Sequence, residues 1–329
     1  MPLIRINSGK QGLFLHNTQH PAGRTLRSMV DASGPAIVML HGFKYAPGST
    51  RHCPHAKIFG ARADSWPRAL GFGVDNPNEG LGIAFGWQSR GSLRHMHKRA
   101  TGLGAQIARL IYMLKRQRPH QPVHIIAHSL GAETALNSLQ HLPSGAVDRM
   151  VLLSGASYLS TADTMLKTPA GRSVELLNVT SRENDLFDAA FRRLVPSPYS
   201  EDQAVGTGIT APNAATLRID CPQVLDQLGV LGFHISSPTR RVCHWSSYQR
   251  PGVMELYRQF LRRSDTLPLC RLQEIKETVT PRWSRLITTG ANPLIGKSAL
   301  LPYPMLSLKW PEQVQSAAIS GETKNDHAY

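Results

Sequence analysis

Val123 to Leu136 reads VHIIAHSLGAETAL, and no other stretch restricts the fold as tightly. Val123, Ile125, Ile126 and Ala127 can fill a buried strand, His128 to Gly131 break the pattern, and Ala132, Ala135, Leu136, Leu139 and Leu142 then recur at helical spacing. A strand that bends at a serine straight into a helix is the nucleophile elbow. The bend brings strand and helix so close that small residues are needed two before and two after the serine, and Ala127 and Gly131 stand there. It holds the Ser129 hydroxyl clear of the backbone, at the positive end of the new helix, with the amide of Leu130 placed to face a developing oxyanion. A serine that merely caps a helix would not need those small neighbours.

Ala36 to Leu40 (AIVML) is a short continuous apolar run, as in a central strand covered on both faces. It ends in His41, Gly42 and Phe43, where an oxyanion loop belongs. Glycine lets the backbone turn in tightly, and the amide of Phe43 would be the second donor beside Leu130.

Further strands are expected at 81–87, 150–153 and 176–179, with a short one at 216–219 and a small hairpin from 3–6 and 12–16. A long amphipathic helix covers roughly 93–115, and another, opened by Pro251, carries Val253, Tyr257, Phe260 and Leu261 on one face. This alternation predicts an α/β fold, a mostly parallel central sheet with helices on both faces. Residues 44–80 read as a long loop insertion with one short helix near 65–70, shaping the substrate pocket. Residues 17–34 read as polar and punctuated by Gly and Pro, and 156–172 as irregular. The main domain is expected over 1–263, followed by an irregular, proline-punctuated extension over 264–329 with a disordered end.

In such a sheet the ligands lie at the carboxyl ends of the strands. The loop after the 176–179 strand, SREND, is therefore where an acid is expected. Asp185 is the choice, with Glu183 and Asp188 as rivals. For the base, His244 sits ahead of the last helix of the main domain and is preferred over His234. His52, Cys53 and His55 match no standard zinc spacing, and His95 and His97, two apart on a helix, do not share a face; they are expected on a solvated surface.

The order Ser129, Asp185, His244 resembles the alpha/beta-hydrolase superfamily. More narrowly, the chain resembles a bacterial esterase/lipase-like family of undefined physiological role, through HGF at 41–43, FGWQSRGS at 85–92, AHSLG at 127–131, NDLFD at 184–188 and CHWSSY at 243–248. Gln88 stands where that family's motif tends to have proline, and 44–80 and the stretch after 264 lie outside the pattern. The resemblance implies an acyl-serine mechanism with no metal or organic cofactor, cleaving a small-molecule or lipid carboxylic ester.

Charge is unbalanced: 37 Lys and Arg against 22 Asp and Glu, formally +15. Such a surface attracts anionic substrates, lipid headgroups or nucleic acid. No zinc-finger, RNA-binding or basic-zipper pattern accompanies it, so nucleic acid is not expected, whereas contact with a membrane surface is compatible. The rival to an enzyme is a non-catalytic protein of the same fold that holds an anionic partner. No apolar run is long enough to cross a bilayer. The first sixteen residues lack a secretory pattern, and four scattered cysteines suggest reduced thiols, so a cytoplasmic location is expected.

Overall fold

Among the described residues eight strands form one sheet: β1 (Leu3–Gly9), β2 (Gly12–Leu15), β3 (Ala36–Leu40), β4 (Leu81–Gly86), β5 (Val123–His128), β6 (Arg149–Leu153), β7 (Glu175–Thr180) and β8 (Ala214–Arg218). Their order is β2-β1-β4-β3-β5-β6-β7-β8, parallel throughout except for the hairpin partner β2. The computed structural model describes residues 3–18, 20–28, 33–74, 76 and 78–277.

The apolar runs become central strands because both of their faces are covered. Val38 and Leu40 of β3 enter one core cluster, with Ile125 and Ala127 of β5. Ile37 and Met39, with Ile126, enter the other. Period-two alternation sends neighbours to opposite faces, so an uninterrupted apolar run is what a strand sandwiched between helices requires.

The helices are α1 (Ala22–Ser28), α2 (Pro54–Lys57), α3 (Trp66–Ala69), α4 (Leu93–Gln117), α5 (Leu130–Ser138), α6 (Leu159–Leu166), α7 (Pro169–Ser173), α8 (Asp185–Leu194), α9 (Pro222–Val230), α10 (Ser246–Gln249), α11 (Val253–Arg262) and α12 (Leu269–Gln273). Helix α4 starts at Ser92, whose hydroxyl accepts from the His95 amide, and it buries Met96, Leu103, Ile107, Leu110, Ile111 and Leu114. Each such side chain contributes about 1.5–3 kcal/mol on leaving water. Gly104 lets α4 close on α5, since a Cβ there would stand 2.6 Å from the Asn137 carbonyl carbon.

Several expectations need correction. Residues 44–80 hold two short helices, and Ile58, Phe59, Trp66, Leu70 and Phe72 are buried in the second cluster, so much of this segment is core. Residues 156–172 contain α6 and α7, and 17–34 contain α1. Helix α9 carries no strong periodic signal, yet Val224 and Leu228 pack inward. The extension does not begin as irregular chain: Leu267, Leu269 and Leu272 are buried and α12 packs on β8. The rest of it, 278–329, lies outside the described residues, as does its expected disorder.

Candidate active site

Registering β3 beside β5 pairs Leu40 with Ala127, so the turns that follow these strands meet. A Cβ on Gly42 would lie 2.5 Å from the Ser129 Cβ and 3.1 Å from its Oγ. Only glycine allows that approach. Gly131 is needed on the other side, because a Cβ there would lie 2.8 Å from the carbonyl oxygens of both Leu40 and His41.

Ser129 has φ 55° and ψ −124°, a left-handed conformation costing a non-glycine residue on the order of 1–3 kcal/mol. The surroundings hold it there. Its amide donates to the Leu153 carbonyl at 3.0 Å, and its carbonyl accepts from Ala132 at 2.9 Å and Ala156 at 3.0 Å. Leu130 is the first residue of α5, and the first amides of a helix have no partner within it.

His41 braces the other half of this turn. Its Nδ1–H donates to the Gly42 carbonyl at 2.9 Å, while its Nε2 accepts from the Trp87 amide at 3.0 Å. Burial is the main reason its pKa falls to about 3, so the ring is neutral. A trans peptide points its C=O and N–H in opposite directions. Fixing the Gly42 oxygen therefore fixes the direction of the Phe43 amide.

His244 is buried on the loop before α10, its ring stacked on Phe187 at 4.6 Å between centroids. Its carbonyl accepts from Nε2–H of His128 at 3.0 Å, which ties the histidine loop to the residue preceding Ser129. Burial, and then His128, push the His244 pKa well below the usual histidine value. Burial also lowers His128, to about 4.

The imidazole's partner differs from the expected acid by one position. Nδ1 of His244 lies 2.6 Å from Oδ1 of Asn184, and Nδ2 of Asn184 donates to Oδ1 of Asp188 at 2.9 Å. A carboxylate only accepts hydrogen bonds, so Asp188 determines which end of the Asn184 amide faces the histidine. That oxygen in turn requires the proton on Nδ1 and leaves Nε2 bare. Gly206 makes room for the arrangement, since a Cβ there would stand 2.1 Å from Asp188 Oδ2.

Asp185 is buried at the start of α8. The rival Glu183 has a different task. Its carboxylate pairs with the Arg250 guanidinium, and its carbonyl accepts from the Cys243 amide at 2.9 Å. These bonds clamp the histidine-bearing segment onto the loop that holds Asn184. His234, the alternative base, is exposed beside α9.

Behind the bend, buried Glu133 on α5 accepts from Ser157 at 2.5 Å, Thr101 at 2.8 Å and Asn137 at 2.9 Å. Burial pushes its pKa up, but His97, Ser157 and Thr101 bring it below the usual glutamate value. His97, expected on a solvated face, is half-buried with its Nε2 3.4 Å from Glu133. His55 donates to Asn7 at 2.7 Å, and Cys53 Sγ lies 3.8 Å from His16 Nε2. Among the described residues no group of three or more His, Cys, Asp or Glu could hold a metal ion, and no helix is long and apolar enough to cross a membrane.

Residues 30–167 match the family model described as an alpha/beta hydrolase of unknown function, DUF900, a span that includes the Gly42–Phe43 turn and the bend at Ser129. The fold is that of the alpha/beta hydrolases. Among solved structures, this hydrolase fold is similar to a gene product of Listeria innocua, with TM-score 0.40 and 12% identity over 70% of this chain and 95% of that one. It is also similar to carboxylesterase CesB of Bacillus subtilis, with TM-score 0.31 and 13% identity over 70% and 86% of the two chains. Phospholipase PlaB of Legionella pneumophila follows at 0.28 and 14% identity over 47% and 39%. No curated protein matches the sequence.

Proposed function

We propose that the chain is a serine hydrolase that cleaves carboxylic esters through an acyl-serine. The observation that carries this reading is the left-handed Ser129, held in contact with Gly42 at the carboxyl ends of the central strands β3 and β5. A protein that only binds has no use for a strained serine hydroxyl presented beside a tight glycine turn.

In the reaction the bare Nε2 of His244 takes the Ser129 proton as Oγ attacks the ester carbonyl. The Phe43 and Leu130 amides receive the tetrahedral oxyanion, each contributing about 3 kcal/mol by analogy with measured donors. The imidazolium passes its proton to the departing alcohol oxygen. Water then attacks the acyl-serine, giving its proton to His244, and Ser129 regains a proton as the acid leaves. Asn184 keeps the imidazole in the required tautomer throughout, and Asp188 keeps Asn184 in place.

A serine-directed fluorophosphonate tests the assignment. The wild type is expected to be labelled and Ser129→Ala not, with turnover of 4-nitrophenyl butyrate lost in the same variant. Absence of labelling in well-folded wild type would leave the fold as a binding scaffold.

A further inference from the structure

Residues 33–63, 80–132 and 227–254 contain fifteen Lys and Arg and no Asp or Glu. These three segments carry the Gly42–Phe43 turn, Ser129 and His244. Their excess equals the formal +15 of the whole chain, so the remainder balances. The imbalance is therefore not spread evenly as a solubility device would be.

The fold gathers part of it beside the reacting centre. The Lys44 amide donates to the Ser89 carbonyl at 2.9 Å, and the Tyr45 amide to Ser89 Oγ at 2.9 Å. The loop after β3 is thus stitched to the loop after β4, which sets Lys44 and Arg90, both exposed, next to each other. Lys44 has φ 71°, and its Nζ lies 6.0 Å from the Phe43 ring centroid, folded back over the oxyanion turn. Arg240 and Arg241 are exposed on the run into His244.

Glu183 pairs with Arg250, one of the fifteen, but the loop after β7 offers no carboxylate at the surface, because Glu183, Asp185 and Asp188 are all buried. An exposed carboxylate returns at Glu201, on the crossover toward β8. Burial and then Arg90 lower the Lys44 pKa. Burial followed by Arg90, Arg51 and Lys57 lowers His52. Like charges held together at a cost mark a place where an anion is meant to bind.

We infer that the ester cleaved at Ser129 carries an anionic group, held by Lys44 and Arg90 beside the Phe43 turn. This rests on the hydrolytic reading above. The positive charge adjoins the oxyanion turn, so it adds to the field that favours the tetrahedral oxyanion while fixing the substrate's orientation. A membrane is the weaker occupant, since exposed large apolar residues near the histidine are isolated ones, Leu186 and Val242.

The test compares the mono-4-nitrophenyl ester of glutaric acid with neutral 4-nitrophenyl butyrate. In low salt the charged ester is expected to have at least tenfold higher kcat/KM, and the preference should shrink in 0.5 M salt. Lys44→Asn combined with Arg90→Gln should reduce the charged-to-neutral ratio about tenfold or more; asparagine tolerates the left-handed backbone at residue 44. Calorimetry with Ser129→Ala and the same two esters gives the binding ratio without turnover, so a chain that hydrolyses neither ester still answers the question. A ratio near one in both assays overturns the inference and leaves the hydrolase reading standing. So does retention of the protein on phosphatidylglycerol but not phosphatidylcholine vesicles, lost in the double variant, with no preference between the esters.

Discussion

Nδ1 of His244 lies 2.6 Å from the amide oxygen of Asn184, so the group that orients the imidazole is a neutral dipole. The full charge stands one residue further back, where Asp188 accepts from the same amide at 2.9 Å. In the proposed reaction, the imidazolium formed during attack would be stabilised through a carboxamide that its neighbour has polarised.

Asp188→Asn removes the charge that sets the direction of the Asn184 amide. If that amide turns over, it offers N–H to Nδ1 and stabilises the tautomer with its proton on the wrong nitrogen, which in a serine protease costs about 10⁴ in kcat. We expect kcat for 4-nitrophenyl butyrate to fall at least 10²-fold in Asp188→Asn and in Asn184→Ala, with circular dichroism unchanged. Near-wild-type rates in both variants would remove Asn184 and Asp188 from the site.

Replacing Asn184 by aspartate places a formal charge on the imidazole. The wild-type His244 pKa sits well below the usual value, through burial and then His128. A carboxylate at this distance favours the protonated ring and raises its pKa, commonly by one unit or more. The acid limb of the kcat/KM profile should move to higher pH in Asn184→Asp. A limb that stays in place means that another group contacts Nδ1 during catalysis.

Three glycines are expected to refuse alanine while a fourth accepts it. Gly42→Ala and Gly131→Ala press a methyl group onto Ser129 and onto two backbone carbonyls, and Gly206→Ala displaces the Asp188 carboxylate. Losses of about 1–3 kcal/mol, measured by denaturant titration, are expected for the two at the bend, with loss of turnover for all three. Gly102, exposed in α4 with nothing within 4 Å of its Cβ position, should gain about 0.5–1 kcal/mol as alanine.

Acid should unfold this protein readily. Burial is the main cause holding His41 and His124 to about 3, His128 to about 4 and His55 to about 2. All four are neutral when folded, but take up protons near pH 6.5 when unfolded. Their contribution is complete above that pH and is lost progressively as pH falls from about 6.5 to each folded pKa, about 4 for His128, about 3 for His41 and His124 and about 2 for His55. Each would cost about 2 kcal/mol by pH 5. Melting midpoints should therefore drop steeply between pH 7 and 5, and a flat profile over that interval would contradict the neutral, buried assignment.

What could be read from the sequence depended on how local each constraint is. The bend at Ser129 needs small residues at fixed offsets, and the strands around it need unbroken apolar runs, so both are visible in one dimension. Asn184 is not. The loop Ser181–Asn184 closes a tight turn, in which Asn184 N–H bonds the Ser181 carbonyl at 3.0 Å. That turn decides which of several adjacent polar side chains reaches the histidine. A search confined to acids passes over a carboxamide. The role of His41 is equally hidden, because it consists of contacts with Gly42 and with Trp87, 46 positions away. Helices α6, α7 and α9 are short and mixed in composition, and they owe their form to what they pack against.

The hairpin of β1 and β2 lies far from the proposed site in sequence, yet among the described residues β1 is the only strand shielding the outer side of β4, register Leu3↔Gly82 to Asn7↔Gly86. All six residues of β4 are buried. A variant without residues 3–16 would present that strand as a bare, greasy template for the next molecule to pair with, and such proteins clump before they can be assayed. Trimming this piece to obtain a smaller protein would thus yield sediment, however intact the serine and histidine remained.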